Sequence, residues 1–231
     1  MNHSVRLFSM LAIVFLAAPA LAKSRVQIIE PGEYHGDEVA TRTGDRWMAL
    51  ERTGNRARWR ETSVVVTKVH HQFVDADNPT IKSGKRVSTA LPAEPALLIR
   101  GLTRLNVVEP GLVHGPLALK IGDQHALSNG TVLEVIRQQP RHRKRNIDAT
   151  PYLIRMRRGA KQQVIYEGPP DSETMVLPSV LVMGDIDGDG NPDLVLKIPS
   201  YNQETITLFL SSRARGHQLV RPVASHVRTG C

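Results

Sequence analysis

What limits the possible folds most is the periodicity of the apolar residues. Alternation with a period of two recurs along the chain, and no helix-period segment exceeds about two turns. Tyr152, Ile154 and Met156 alternate with Leu153, Arg155 and Arg157. After a turn at Gly159, Gln162, Val164 and Tyr166 alternate with Gln163, Ile165 and Glu167. That pattern predicts a β-hairpin. Further strands are expected at Val26–Ile29, Arg46–Glu51, Ala96–Arg100, Leu117–Ile121, Thr131–Arg137, Ser179–Met183, Asp193–Ile198 and Thr205–Leu210. Another is expected in the 64–73 region. There Val65, Thr67, Val69, His71 and Phe73 share one face, and Lys68, His70 and Gln72 share the other with Val64 and Val66. The 17 glycines and 15 prolines fall between these runs, where turns belong and helix interiors do not. The expected fold is mostly β, a sandwich or irregular barrel-like set of sheets.

Composition narrows the class further. The chain has 231 residues, 41% of them hydrophobic, which excludes wholesale disorder. Its one cysteine, Cys231, excludes an internal disulfide and a cysteine-based zinc site. In an oxidising compartment that thiol could instead link two chains.

Residues 1–22 read as a signal peptide. Arg6 is the positive start, Leu7–Ala18 is an apolar run broken only by Ser9, and Ala20-Leu21-Ala22 has the small-x-small form of a cleavage site. The run is short for a membrane span. A periplasmic or secreted protein beginning at Lys23 is therefore expected. Two β-rich regions follow, 23–138 and 150–231, forming either one compact unit or two. A basic loop or linker over 139–149 separates them.

That linker carries Arg141, His142, Arg143, Lys144 and Arg145, which cannot all be buried together. It is a solvated loop or, as a functional alternative, a patch for an acidic envelope component or glycan. The run holds no aromatic residue to stack on bases, which disfavours nucleic acid. Trp47 and Trp59 are the aromatic residues that could assist glycan recognition, although large aromatics usually fill cores.

The segment that specifies chemistry is Gly184-Asp-Ile-Asp-Gly-Asp-Gly-Asn-Pro-Asp-Leu-Val-Leu196. Counted from Asp185, carboxylates stand at positions 1, 3, 5 and 9 (Asp185, Asp187, Asp189 and Asp193), with Gly190 at 6 and Asn191 at 7. This spacing bends successive oxygens around one point, and calcium takes six to eight oxygens. Asn191 would offer its main-chain carbonyl. An EF-hand needs a Glu at position 12 and a helix after it; here position 12 is Leu196, within a strand pattern. Asp193 is therefore the expected closing ligand of a calcium loop that feeds a β-strand.

With these residues in view, Gly184–Leu196 resembles the calcium loop of FG-GAP and VCBS-type repeats, the blade units of integrin-like β-propellers. The run Thr205–Leu210 resembles the strand that follows in such a blade. The resemblance implies that the side chains of Asp185, Asp187, Asp189 and Asp193 hold calcium, with the Asn191 carbonyl. A propeller needs several stacked copies. The nearest echo, Asp75-Ala-Asp-Asn-Pro79, lacks the third acid and the glycines, so a full propeller is not expected. The order of features also resembles a group of small exported bacterial proteins of unassigned function. Those features are the signal peptide, Gly44-Asp-Arg-Trp47, one calcium loop, Leu208–Ser212 and a terminal Gly230-Cys231.

Catalytic signatures are sparse. There is no nucleophile elbow, zinc helix or phosphate-cradling loop. Glu30, Glu33, Asp37 and Glu38 cluster beside His35 and could form an acid–base set of a cell-envelope hydrolase. Adjacent His70 and His71 would point to opposite faces of a strand, and His71 is expected to be a core histidine. The favoured expectation is an exported, non-catalytic calcium-binding protein of the envelope.

Overall fold

The computed structural model describes residues 26–53, 56–72, 74–105, 116–138, 151–170 and 176–229. The signal-peptide segment, the basic run with Arg141, Arg143, Lys144 and Arg145, and Cys231 lie outside the described residues. The described chain is mostly β, with neither a closed barrel nor a propeller.

Six strands form the first sheet: β1 (Gln27–Ile29), β2 (Gly32–Tyr34), β3 (Arg46–Thr53), β4 (Arg56–Val69), β5 (Gly84–Thr89) and β6 (Leu97–Arg100). Their order is β1-β6-β3-β4-β5-β2, all antiparallel. Only Glu30 and Pro31 separate β1 from β2, yet these two strands hold opposite edges. Three residue steps reach at most about 11 Å. The edges of a flat six-stranded sheet would stand about 24 Å apart. The sheet must therefore curl, and it forms a half-barrel. The long strand β4 makes the turn. Its first part pairs with β3 as far as Ser63, and from Val64 it pairs with β5. Ile29, Tyr34, Trp47, Ala49, Val64, Val87 and Leu98 fill the concave side.

The second sheet is β7 (Leu117–Ala118), β12 (Ser179–Gly184), β13 (Asp193–Pro199), β14 (Gln203–Leu210) and β15 (Arg221–Thr229). It runs β15-β14-β13-β12-β7. The third comprises β8 (Gln124–Ala126), β9 (Thr131–Arg137), β10 (Pro151–Arg158) and β11 (Lys161–Pro170), in the order β11-β10-β9-β8. Arg137 pairs with Tyr152, so β9 and β10 are neighbours on either side of segment 139–150.

The five-stranded sheet lies in the middle. Leu181, Val182, Val195, Ile206, Leu208 and Leu210 pack on Ile28, Leu50, Leu97 and Ile99 of the half-barrel. From its other face, Val180, Met183, Leu194, Leu196 and Phe209 pack on Leu133, Val135, Tyr152, Ile154 and Met156. This explains the unbroken apolar run Leu194-Val195-Leu196: a strand covered on both faces needs no polar side.

Three local expectations change, the first being that the strand expected over Leu117–Ile121 is only Leu117–Ala118. β4 ends at Val69, and over 64–69 it is Val64 and the partly buried Val66 that pack into the half-barrel core, the pair the alternation groups with the polar face. His71 is not a core histidine. It sits in a turn, half-buried, with its ring 4.1 Å from that of His35. The cause is Asp75, whose Oδ2 accepts the main-chain N–H groups of His71 at 2.8 Å and Ser83 at 2.9 Å. These bonds pull the chain out of the ladder.

Candidate metal centre

The acidic segment connects β12 to β13. Its glycines fit the bend, with Gly188 at φ +77° and Gly190 at φ +82°, a region L side chains adopt at a cost.

The Asp185 carboxylate organises the loop's own backbone. Its Oδ1 accepts the N–H groups of Gly188 (2.8 Å) and Asp189 (3.0 Å), and its Oδ2 accepts that of Gly190 (3.0 Å). Asp193 closes the loop and is fully buried. Its Oδ2 accepts the N–H groups of Ile186 (2.8 Å) and Asp187 (3.2 Å). Its Oδ1 accepts the N–H (2.7 Å) and the hydroxyl (2.8 Å) of Ser211. Burial pushes the Asp193 carboxyl up to about 7; the Ser211 N–H opposes this and the nearby Asp187 charge adds to it. Asp187 receives a hydrogen bond from the Ser212 hydroxyl on Oδ2. Its Oδ1 is a buried atom with no hydrogen-bond partner.

Asp185, Asp187 and Asp193 come together: one carboxylate oxygen from each lies within 4.8 Å of the others. Asp189 stands apart from this trio. Its carboxylate takes the Ser211 hydroxyl at 2.9 Å and the Asn191 N–H at 2.8 Å. The Asn191 side chain is also engaged elsewhere, since its Oδ1 accepts Arg158 Nη1 at 2.7 Å. Only its main-chain carbonyl could serve an ion.

Three like charges this close repel one another strongly. Among them are an orphaned buried oxygen and a carboxyl whose ionised form is disfavoured by burial. A hard dication would relieve all three conditions, so this Asp trio could hold a metal ion. The open side of the loop faces a cleft shared with Arg104, Ser212 and Arg213.

Ser211 and Ser212 were not among the expected site residues. They follow β14, about twenty residues from the acids they touch. The Ser-Ser pair at the end of Leu208–Ser212 was the visible signal, and only strand pairing gives it meaning.

Three carboxylates of the candidate acid–base set are engaged by separate groups. Glu33 pairs with Arg86, Glu30 with Lys197 at 3.2 Å, and Glu38 accepts the N–H groups of His35 (2.9 Å) and Thr229 (2.8 Å). The tryptophans lie on opposite faces of the half-barrel. Trp47 is 2% exposed on the concave side, its indole N–H donating to Thr41 at 3.0 Å under the Arg100 guanidinium, 4.5 Å from the ring. Trp59 packs toward the five-stranded sheet. No protein family, curated protein or solved structure matches the chain.

Proposed function

We propose that this is an exported calcium-binding β protein of the bacterial envelope, with a structural or binding role, in which one ion pins the turn between β12 and β13. The observation that carries the reading is Asp187 Oδ1, buried and unpartnered beside the carboxylates of Asp185 and Asp193. The resemblance of Gly184–Leu196 to the FG-GAP and VCBS calcium loop supports the same ion, and the leader-like residues 1–22 support export. Calcium supplies a compact double charge that several oxygens can share. Asp185 shapes the loop, Asp193 ties it to β14, and Asp187 offers the free oxygen. Calcium modules outside cells bind with dissociation constants of about 10⁻⁴–10⁻³ M. At millimolar calcium, about one to ten times such a constant, the site adds about 0.4–1.4 kcal/mol, so calcium tunes stability rather than enabling folding.

Titration calorimetry and metal analysis on the purified chain without residues 1–22 test this. One calcium per chain, magnesium binding more weakly, and loss of binding in Asp187→Asn are expected. No calcium uptake at millimolar concentration overturns it.

A further inference from the structure

Outside the acidic loop, two residues of the four-stranded sheet reach it, Asn129 and Arg158. Asn129 lies in the turn between β8 and β9 at φ +55°, ψ +30°, followed by Gly130 at φ +65°. Among the described residues it is the one non-glycine with positive φ. Asn-Gly is the pair that fills two left-handed positions of a tight hairpin at least cost. The turn itself favours Asn here, and the Asn129 side chain makes contacts to the acidic loop in addition.

Its amide nitrogen donates to the Gly190 carbonyl and, at 3.4 Å, to Asn191 Oδ1. Arg158, at the end of β10, donates to that same Asn191 oxygen at 2.7 Å. Two donors from one sheet therefore grip residues 190 and 191, the stretch between Asp189 and Asp193. The loop is also held from within, since Asp185 accepts the N–H groups of Gly188, Asp189 and Gly190, and Asp193 fixes the other end through the N–H of Ile186. A loop held at both ends keeps its carboxylates in place before an ion arrives, which lowers the ordering cost of binding.

We infer that Asn129 is a positioning residue for the metal loop, acting through Gly190 and Asn191 and never touching the ion. The inference rests on the calcium reading. By linkage, the ion must in turn steady the β8–β9 turn.

The test is calcium titration of the full chain without residues 1–22, as wild type and Asn129→Gly. Glycine keeps the left-handed turn and deletes the amide. A loss of calcium affinity of about tenfold is expected, the usual scale for groups that orient ligands. The melting temperature in chelator should stay near wild type. Amide exchange over 126–131 should slow with calcium in the wild type and not in the variant. A purely structural role would lower the melting temperature and leave the affinity alone. If Asn129→Gly fails to fold, the wild-type exchange decides: amides over 126–131 that do not slow with calcium overturn the role of Asn129. Unchanged affinity in Asn129→Gly, with the wild type binding calcium, overturns the role of Asn129 and spares the calcium reading. A wild type that takes up no calcium overturns both.

Discussion

Ser211 meets the Asp193 carboxylate twice on the same oxygen, with its N–H at 2.7 Å and its hydroxyl at 2.8 Å, the single hydroxyl proton being shared with Asp189. This joins the end of β14 to the start of β13 at the mouth of the loop. Ser211→Ala removes one donor from a buried carboxyl group. A loss of about 1–3 kcal/mol in urea unfolding is expected, larger than for the exposed Ser212→Ala. Equal small losses in the two variants would show that Ser211 does not act as a cap.

Asp193 also sets a pH dependence. Its folded carboxyl titrates at about 7, against an ordinary value of 3.8. Between those values the folded state keeps a proton that the unfolded chain has released. The metal-free protein must therefore lose stability as pH rises from about 4 to 7, by up to about 4 kcal/mol, and level off above 7. Calcium needs the ionised form, so it should bind more weakly as pH falls below 7 and release protons on binding near pH 6. Urea melts in chelator from pH 4.5 to 8, with calorimetry in buffers of different ionisation enthalpy, measure both. A flat metal-free profile refutes the assignment.

Asp75 should behave in the opposite sense. Burial pushes its carboxyl up, but hydrogen bonds from His71 and Ser83 outweigh that and hold it at about 2. Its stabilising contribution is whole above about pH 4 and disappears as pH falls toward 2. Asp75→Asn should flatten that acid limb and make the 71–83 loop more sensitive to proteolysis at neutral pH. An unchanged acid limb would count against it.

The middle sheet predicts matched core losses on its two faces. Leu194 faces the four-stranded sheet and Leu208 the half-barrel, and both are fully buried. Leu194→Ala and Leu208→Ala should each cost about 2–5 kcal/mol. A sheet with one face in water would show a marked difference between them. Thermal or urea unfolding distinguishes the two cases.

Particular residues show where the sequence was readable. Thr131–Arg137 is a strand with the expected limits, and the turn at Gly159 closes the expected hairpin. In both, the alternation and the turn residue carry the information within a few positions. The 64–73 region misled because four valines at 64, 65, 66 and 69 populate both faces. The choice between faces then depended on the half-barrel interior, and the end of the strand on Asp75.

The sequence by itself determined the β character, the strand-turn-strand setting of Asp185–Asp193 and the glycines that let the turn close. Each follows from neighbours in the chain, through side-chain alternation and backbone freedom. Tertiary structure alone decided that β1 and β2 meet across a curled sheet, and that β13 is covered on both faces. It also decided that Ser211, Ser212, Asn129 and Arg158 surround the acidic loop. These are contacts between segments tens of residues apart, and no local pattern encodes which strands become neighbours when the sheets pack.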